Sequence, residues 1–316
     1  MVRGKAARRM GWTIAILALL GAALFGAWRY ALEYNAAAVL DGADRLIGGT
    51  AGARVALADG SYGPVPAQKI AVMVPDPADP APRPVIVFIH GGGWHSGAPG
   101  DYRFVGRTFA RQGYVVVLVG YRMVPEGAWP HMLEDSARAV AWVRDHVADY
   151  GGDPARVFLM GHSAGAYNAA MLALERQWLG REGVPEGFVK GVVGLSGPYD
   201  FYPFTSDSAR AAFGHVADPA LTQPIHYARG DATPMLLLTG DADSTVKPRN
   251  SRALAKALSE AGLPTEPVVL TGVDHAGTVM KLAHPFLRDR RVIDPILAFL
   301  AARGAPPSAP VQAQAR

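Results

Sequence analysis

Short continuous apolar runs, most of them rich in valine and isoleucine, recur along the chain at Val85 to Ile89, Val115 to Val119, Val157 to Met160, Val189 to Leu195, Met235 to Thr239 and Val268 to Leu270. Runs of this length without polar alternation are what strands buried on both faces require. Gln68 to Val74 differs, alternating around Ile70, Val72 and Val74 as a half-buried strand does. Between the runs the period changes: Leu133, Ala137, Val140, Val143 and Val147 recur at helical spacing, and Asn250 to Ala261 reads as a helix stopped by Gly262, with Pro264 beyond. Strands alternating with helices predict an α/β fold with a mostly parallel central sheet and helices on both faces.

The ends of the chain follow other patterns. Met10 to Trp28 is a 19-residue stretch without charge, and at ~1.5 Å per residue it nearly spans a ~30 Å hydrocarbon core. Trp12 and Trp28 stand near its ends, and Arg3, Lys5, Arg8 and Arg9 precede it. This pattern predicts a single transmembrane helix with the N-terminus cytoplasmic and the rest exported. A cleaved signal sequence is the competing reading, because Ala36-Ala37-Ala38 offers a cleavage pattern, but the run exceeds the usual apolar region of about 7–15 residues. The expected organisation is a basic N-terminus over 1–9, an anchor over 10–28, an Ala-rich helical stalk or linker over 29–60, a folded domain over 61–303 and a disordered tail over 304–316. High Ala, Gly and Arg usage suggests a bacterial inner membrane with the domain in the periplasm, although an endoplasmic-reticulum membrane with a lumenal domain has the same topology.

Composition narrows the function classes. The 316 residues contain no cysteine, which excludes disulfides, thiolate metal sites and a cysteine nucleophile. The net charge of +4 could suggest a nucleic-acid partner, but five of the 31 basic residues lie before residue 30 and no acidic residue does, leaving 26 basic against 27 acidic residues. The remainder is near neutral, so no nucleic-acid footprint is present.

The strongest chemical signal is Gly161-His162-Ser163-Ala164-Gly165, which directly follows the apolar run VFLM and precedes a helical stretch. A serine on so tight a strand-to-helix turn needs glycine two residues to either side, and its hydroxyl is lifted clear of the sheet at a helix N-terminus. Such a serine needs a base to take its proton and preplaced donors for the oxyanion. His90-Gly91-Gly92-Gly93-Trp94, just past the run VIVFI, offers backbone N–H groups that would act with the N–H of Ala164. In an elbow of this kind the acid and then the histidine follow the serine. His215 and His226 precede the strand that should deliver the acid, which leaves His275 and His284. His275, in Gly272 to Gly277 directly after an apolar run, is the better placed to reach back over the sheet. Gly240-Asp241-Ala242-Asp243 offers two acids.

With these residues the chain resembles the α/β-hydrolase superfamily over roughly Tyr62 to Ala302. HGGGW, Tyr121-Arg122 followed by Trp129-Pro130, GHSAGA and GVDHAG look like its esterase branch, which includes the hormone-sensitive-lipase-like carboxylesterases, the bifunctional acetylxylan and feruloyl esterases and the kynurenine formamidases. In this superfamily the acid usually ends a Gly-x-x-Asp pattern with Val-x-Pro soon after, which implies Asp243, followed by Val246 and Pro248, with Asp241 as a turn residue bonded to its own backbone. The branch's oxyanion donors imply Gly92 and Gly93. The resemblance thus implies acyl transfer from small esters by Ser163, His275 and Asp243, with no metal and no cofactor. An amidase of the arylformamidase kind would use the same triad, and a catalytically silent binding module on a membrane stalk is the reading from another class. Gly120 departs from relatives that often have Asp there, which removes a structural contact. The aromatic segment Gly197 to Pro234 either lines the substrate pocket or packs onto the sheet, and it is too small for a separate lid domain.

Overall fold

Eight strands form one sheet in the computed structural model, which describes residues 35–78, 81–286 and 288–304. They are β1 (Ala53–Ser61), β2 (Lys69–Pro75), β3 (Arg83–Ile89), β4 (Val115–Val119), β5 (Gly152–His162), β6 (Val189–Leu195), β7 (Met235–Gly240) and β8 (Val268–Leu270), in the order β1-β2-β4-β3-β5-β6-β7-β8. From β4 to β8 all neighbours are parallel, with Val85 opposite both Val115 and Val157, whereas β2 runs antiparallel to β1 and to β4. Every apolar run read as a strand is one.

The helices are α1 (35–48 among the described residues), α2 (Arg103–Ala110), α3 (His131–His146), α4 (Ala164–Leu174), α5 (Gln177–Arg181), α6 (Asp207–Phe213), α7 (Arg249–Glu260), α8 (Gly277–Met280) and α9 (Arg290–Gly304). Successive side chains of a strand point to opposite faces, so the apolar runs feed two separate cores. Val85, Val87 and Ile89 pack with Leu133, Ala137 and Val140 of α3 and with Ala166 and Ala170 of α4. Ile86 and Phe88 pack on the other face with Phe104, Val105 and Phe109 of α2 and with Val292, Ile293 and Ile296 of α9. This double cover explains why the strands carry no polar alternation.

The segment expected to be a linker departs from that reading. Its helix ends near residue 48, with Gly49 and Gly52 at φ +65° and +80°. However, Leu40 is buried in the second core, and the fully buried Asp44 accepts hydrogen bonds from Arg107 Nε and from the His284 amide, both at 2.6 Å. Asp41 accepts from the same guanidinium, and Arg111 donates to the carbonyls of Gly48 and Gly49 at the end of α1. Residues 53–61 are the first strand of the sheet, so the folded unit begins before residue 61. The strand is hard to read from sequence because it lies at the sheet edge and its pairing with β2 shifts register at two places, which breaks the period of two.

Residues 10–28, with the anchor expected there, and residues 305–316 lie outside the described residues. Among the described residues no helix is long and apolar enough to cross a membrane.

Candidate active site

Ser163 joins the end of β5 to the start of α4 at φ 53° and ψ −120°. A non-glycine residue held in such a region costs about 1–3 kcal/mol and persists only where its surroundings fix it. Here the Ser163 amide donates to Leu195 O at 2.8 Å, and the Ser163 carbonyl accepts from Ala166 N and Tyr167 N. A Cβ on Gly161 would lie 2.2 Å from Gly165 O, and one on Gly165 would lie 2.0 Å from Ile89 O. Both glycines are therefore required by close backbone approach, Gly161 across the turn as the motif implied and Gly165 against the end of β3.

The loops after β7 and β8 bring the other two side chains to the serine. His275 Nε2 is 2.9 Å from Ser163 Oγ, and His275 Nδ1 is 2.8 Å from Asp243 Oδ2. Asp243 is shielded from solvent while His275 keeps a small exposure. Asp243 Oδ1 accepts from the amides of Thr245 and Val246 at 3.0 and 2.8 Å. Burial pushes this carboxyl's pKa up, but the His275 hydrogen bond and charge, the Val246 amide and the Ser196 hydroxyl outweigh it, and the net shift is downward. The carboxylate accepts only, so Nδ1 carries the ring proton and Nε2 is free to accept from Ser163 Oγ–H. The arrangement can draw a proton from the serine into a ring whose positive charge is already matched.

The loop after β3 lies against the elbow. A Cβ on Gly91 would come within 2.9 Å of His162 O and 3.3 Å of Ser163 Cβ. Gly92 and Gly93 take φ +112° and +58°, and among the described residues no acceptor engages the N–H groups of Gly92, Gly93 or Ala164. His90 anchors the loop: its Nδ1–H donates to Gly91 O at 2.7 Å, its ring stacks on Tyr121 with centroids 4.7 Å apart, and its carbonyl accepts from the Tyr121 hydroxyl. Burial pushes its pKa down to about 4. Arg122 forks onto the buried Asp135, which also accepts from Gln68. At Gly120 a side chain would meet Ala67 O at 2.8 Å, so backbone packing closes the position where relatives often carry Asp.

Residues 72–258, more than half of the chain, match the BD-FAE family model. The chain belongs to the BD-FAE family. It is 31% identical to the esterase LipQ of Mycobacterium tuberculosis over 247 residues, covering 72% of this chain and 57% of LipQ. It is 27% identical to the isoprenylcysteine alpha-carbonyl methylesterase ICME of Arabidopsis thaliana, covering 68% of this chain and 55% of ICME. The chain thus spans a little over half the length of these curated relatives. Among solved structures, the native esterase Est2 of Thermogutta terrifontis superposes with a TM-score of 0.63 at 26% identity, covering 82% of this chain and 95% of Est2. A truncated carbohydrate esterase from gut microbiota superposes with a TM-score of 0.69 at 19% identity, over 80% of this chain and 96% of the other, which bears on the fold alone. The α/β-hydrolase fold expected from the motifs is the fold found, and the esterase branch they resemble is the branch to which this BD-FAE chain belongs.

Several residues around this BD-FAE site were not singled out by sequence. Ser196, at the end of β6, is fully buried and takes φ +50°. Its hydroxyl helps to hold the Asp243 pKa down, and Thr278 Oγ1 lies 3.2 Å from Ser196 Oγ and 3.0 Å from His275 O. Its position past the C-terminal end of a parallel strand, where ligands bind in such sheets, was the available signal. Asp241 is a turn residue, but its carboxylate accepts from the Gly272 amide across the β8 turn at 2.7 Å and not from its own backbone. His284 sits against α1 through Asp44.

Of the two roles considered for the aromatic segment, the ring contacts show packing. Tyr199 and Phe213 are fully buried, while Phe201 and Phe204 are half-buried and Tyr202 is exposed. Trp94, which follows the oxyanion loop, meets Phe213 and Tyr167 edge-on at 4.8 and 5.5 Å and stacks near Phe201. A separate cavity of about 560 Å³ lies at the C-terminal end of α4, opposite Ser163; in its charged lining Arg176 pairs with Glu186 and Arg229 with Asp231, while Lys190 donates to Gly187 O. Among the described residues no group of three or more His, Asp and Glu side chains is placed to hold a metal ion.

Proposed function

We propose that this BD-FAE chain is a carboxylic-ester hydrolase acting on small, short-chain acyl esters. The continuous relay from Asp243 through His275 to Ser163, with both hydrogen bonds shorter than 3 Å, carries the reading. Ser163 Oγ attacks the ester carbonyl carbon while its proton passes to His275 Nε2, and Asp243 stabilises the imidazolium. The N–H groups of Gly92, Gly93 and Ala164 hold the oxyanion. When the tetrahedral species collapses, the C–O bond to the alcohol breaks and the alcohol leaves with the proton from His275. Water then attacks the acyl-enzyme, giving its proton to His275, which returns it to Ser163 Oγ as the carboxylic acid departs.

The relatives support this reading. LipQ is described as an esterase, and Est2 is described in one structure as butyrate-bound and in another as phosphorylated by paraoxon. The modest size of the 197–234 segment favours accessible esters over long-chain lipids. Hydrolysis of p-nitrophenyl acetate, butyrate, octanoate and palmitate tests it. Specificity should peak at acetate or butyrate and fall at least about tenfold by octanoate. Failure to turn over any ester, a peak at palmitate, or faster cleavage of N-formylkynurenine in the same panel would contradict the proposal.

A further inference from the structure

His162 stands one residue before Ser163 and takes no part in proton transfer. Its ring is buried, with its centroid 5.0 Å from that of His275. Nε2 lies 3.0 Å from His275 O, and because a carbonyl only accepts, Nε2 carries the ring proton. Among the described residues Nδ1 has no hydrogen-bond partner, and it lies beside Gly91, where a Cβ would approach it to 2.8 Å. The second lone pair of the His275 carbonyl is taken by Thr278 Oγ1 at 3.0 Å. Burial, and next the charge on His275, push the His162 pKa down to about 3, so the ring stays neutral while its neighbour protonates.

We propose that His162 is a positioning residue that ties the base-bearing loop to the nucleophile elbow, a role that rests on the reading of Ser163 and His275 as nucleophile and base. His275 sits in the irregular segment 271–276 between β8 and α8, itself outside any strand or helix. The bond from His162 Nε2 runs from the residue covalently joined to the nucleophile to the backbone of the base. Displacement of the elbow or of the loop is therefore resisted at the one distance on which proton transfer depends. A misplacement of about 1 Å at such a distance can cost about 10²-fold in rate.

Three variants test this by steady-state hydrolysis of p-nitrophenyl butyrate and by the rate of fluorophosphonate labelling, with Tm measured for each. His162→Phe keeps a ring without the donor, His162→Gln puts an amide N–H near the Nε2 point, and His162→Asn reaches only the Nδ1 point. His162→Phe should lower kcat and the labelling rate together by about 10- to 100-fold with KM changed less than about threefold, and His162→Gln should recover to within about threefold of wild type. Wild-type kcat in His162→Phe, or equal impairment of Phe and Gln variants at equal Tm, would overturn the role. If His162→Phe does not fold, the Gln and Asn variants decide: Gln about tenfold faster than Asn supports the tether, and equal rates overturn it. A wild-type chain that neither cleaves esters nor takes the label overturns the triad reading and the tether with it, whereas an active, labelled wild type isolates the question to His162.

Discussion

His275→Ala should lower kcat on a short p-nitrophenyl ester by about 10⁴- to 10⁶-fold, and Asp243→Asn by about 10⁴-fold, with little change in KM or Tm. His275 Nε2 is the imidazole nitrogen held 2.9 Å from Ser163 Oγ, so its removal leaves the hydroxyl without a base. For Asp243 the geometry also fixes how the asparagine would sit. The amides of Thr245 and Val246 both donate to Oδ1, so the asparagine oxygen must take that place and turn its NH₂ toward His275 Nδ1. Nδ1 would then have to accept, moving the ring proton to Nε2, where it faces Ser163 Oγ and blocks proton uptake. Steady-state kinetics on both purified variants check this, and less than a tenfold loss in Asp243→Asn would mean that the tautomer is not set by this contact.

Acid should destabilise the fold well before most carboxylates titrate. His90 and His162 are buried as neutral rings, and burial lowers their pKa values from 6.5 to about 4 and about 3. Between those values and 6.5 the unfolded chain binds two protons that the folded chain refuses. Stability is therefore fully present above pH 6.5 and falls as the pH drops toward the folded values. By proton linkage each ring costs about 2 kcal/mol between pH 7 and pH 5, or about 4 kcal/mol together. Urea unfolding at the two pH values measures this directly, and His90→Phe should remove about half of the dependence. A free energy of unfolding that is flat over this range would show that these rings are not buried neutral.

The legible parts of the fold were those in which a residue's role is decided by its sequence neighbours. The runs Val85 to Ile89 of β3 and Val115 to Val119 of β4 read correctly because both faces are covered and every position is apolar, and in β6 only Lys190 interrupts the run. In β1 the exposed face and two register shifts erase that signal. Helix α2 escaped notice because the inward-facing Arg107 looks polar until its partners Asp41 and Asp44 are seen, and they lie in a segment read as a stalk. The site divides in the same way. Gly161, Gly165 and the Gly91 to Gly93 loop were legible because the backbone itself demands glycine there. The preference for Asp243 over Asp241 came from family resemblance, and the structure gives its physical basis: one carboxylate meets the imidazole and the other meets an amide. Ser196, Thr278 and His162 were invisible because their partners are distant in the chain: Ser196 with Thr278, and His162 with His275.

The most direct test of the central claim is covalent labelling by a fluorophosphonate, read by intact mass and peptide mapping on the folded protein. One phosphonyl adduct should appear, on Ser163, and Ser163→Ala of unchanged Tm should take none. A folded wild type that remains unlabelled, or an adduct that persists in Ser163→Ala, would contradict a nucleophilic role for this serine.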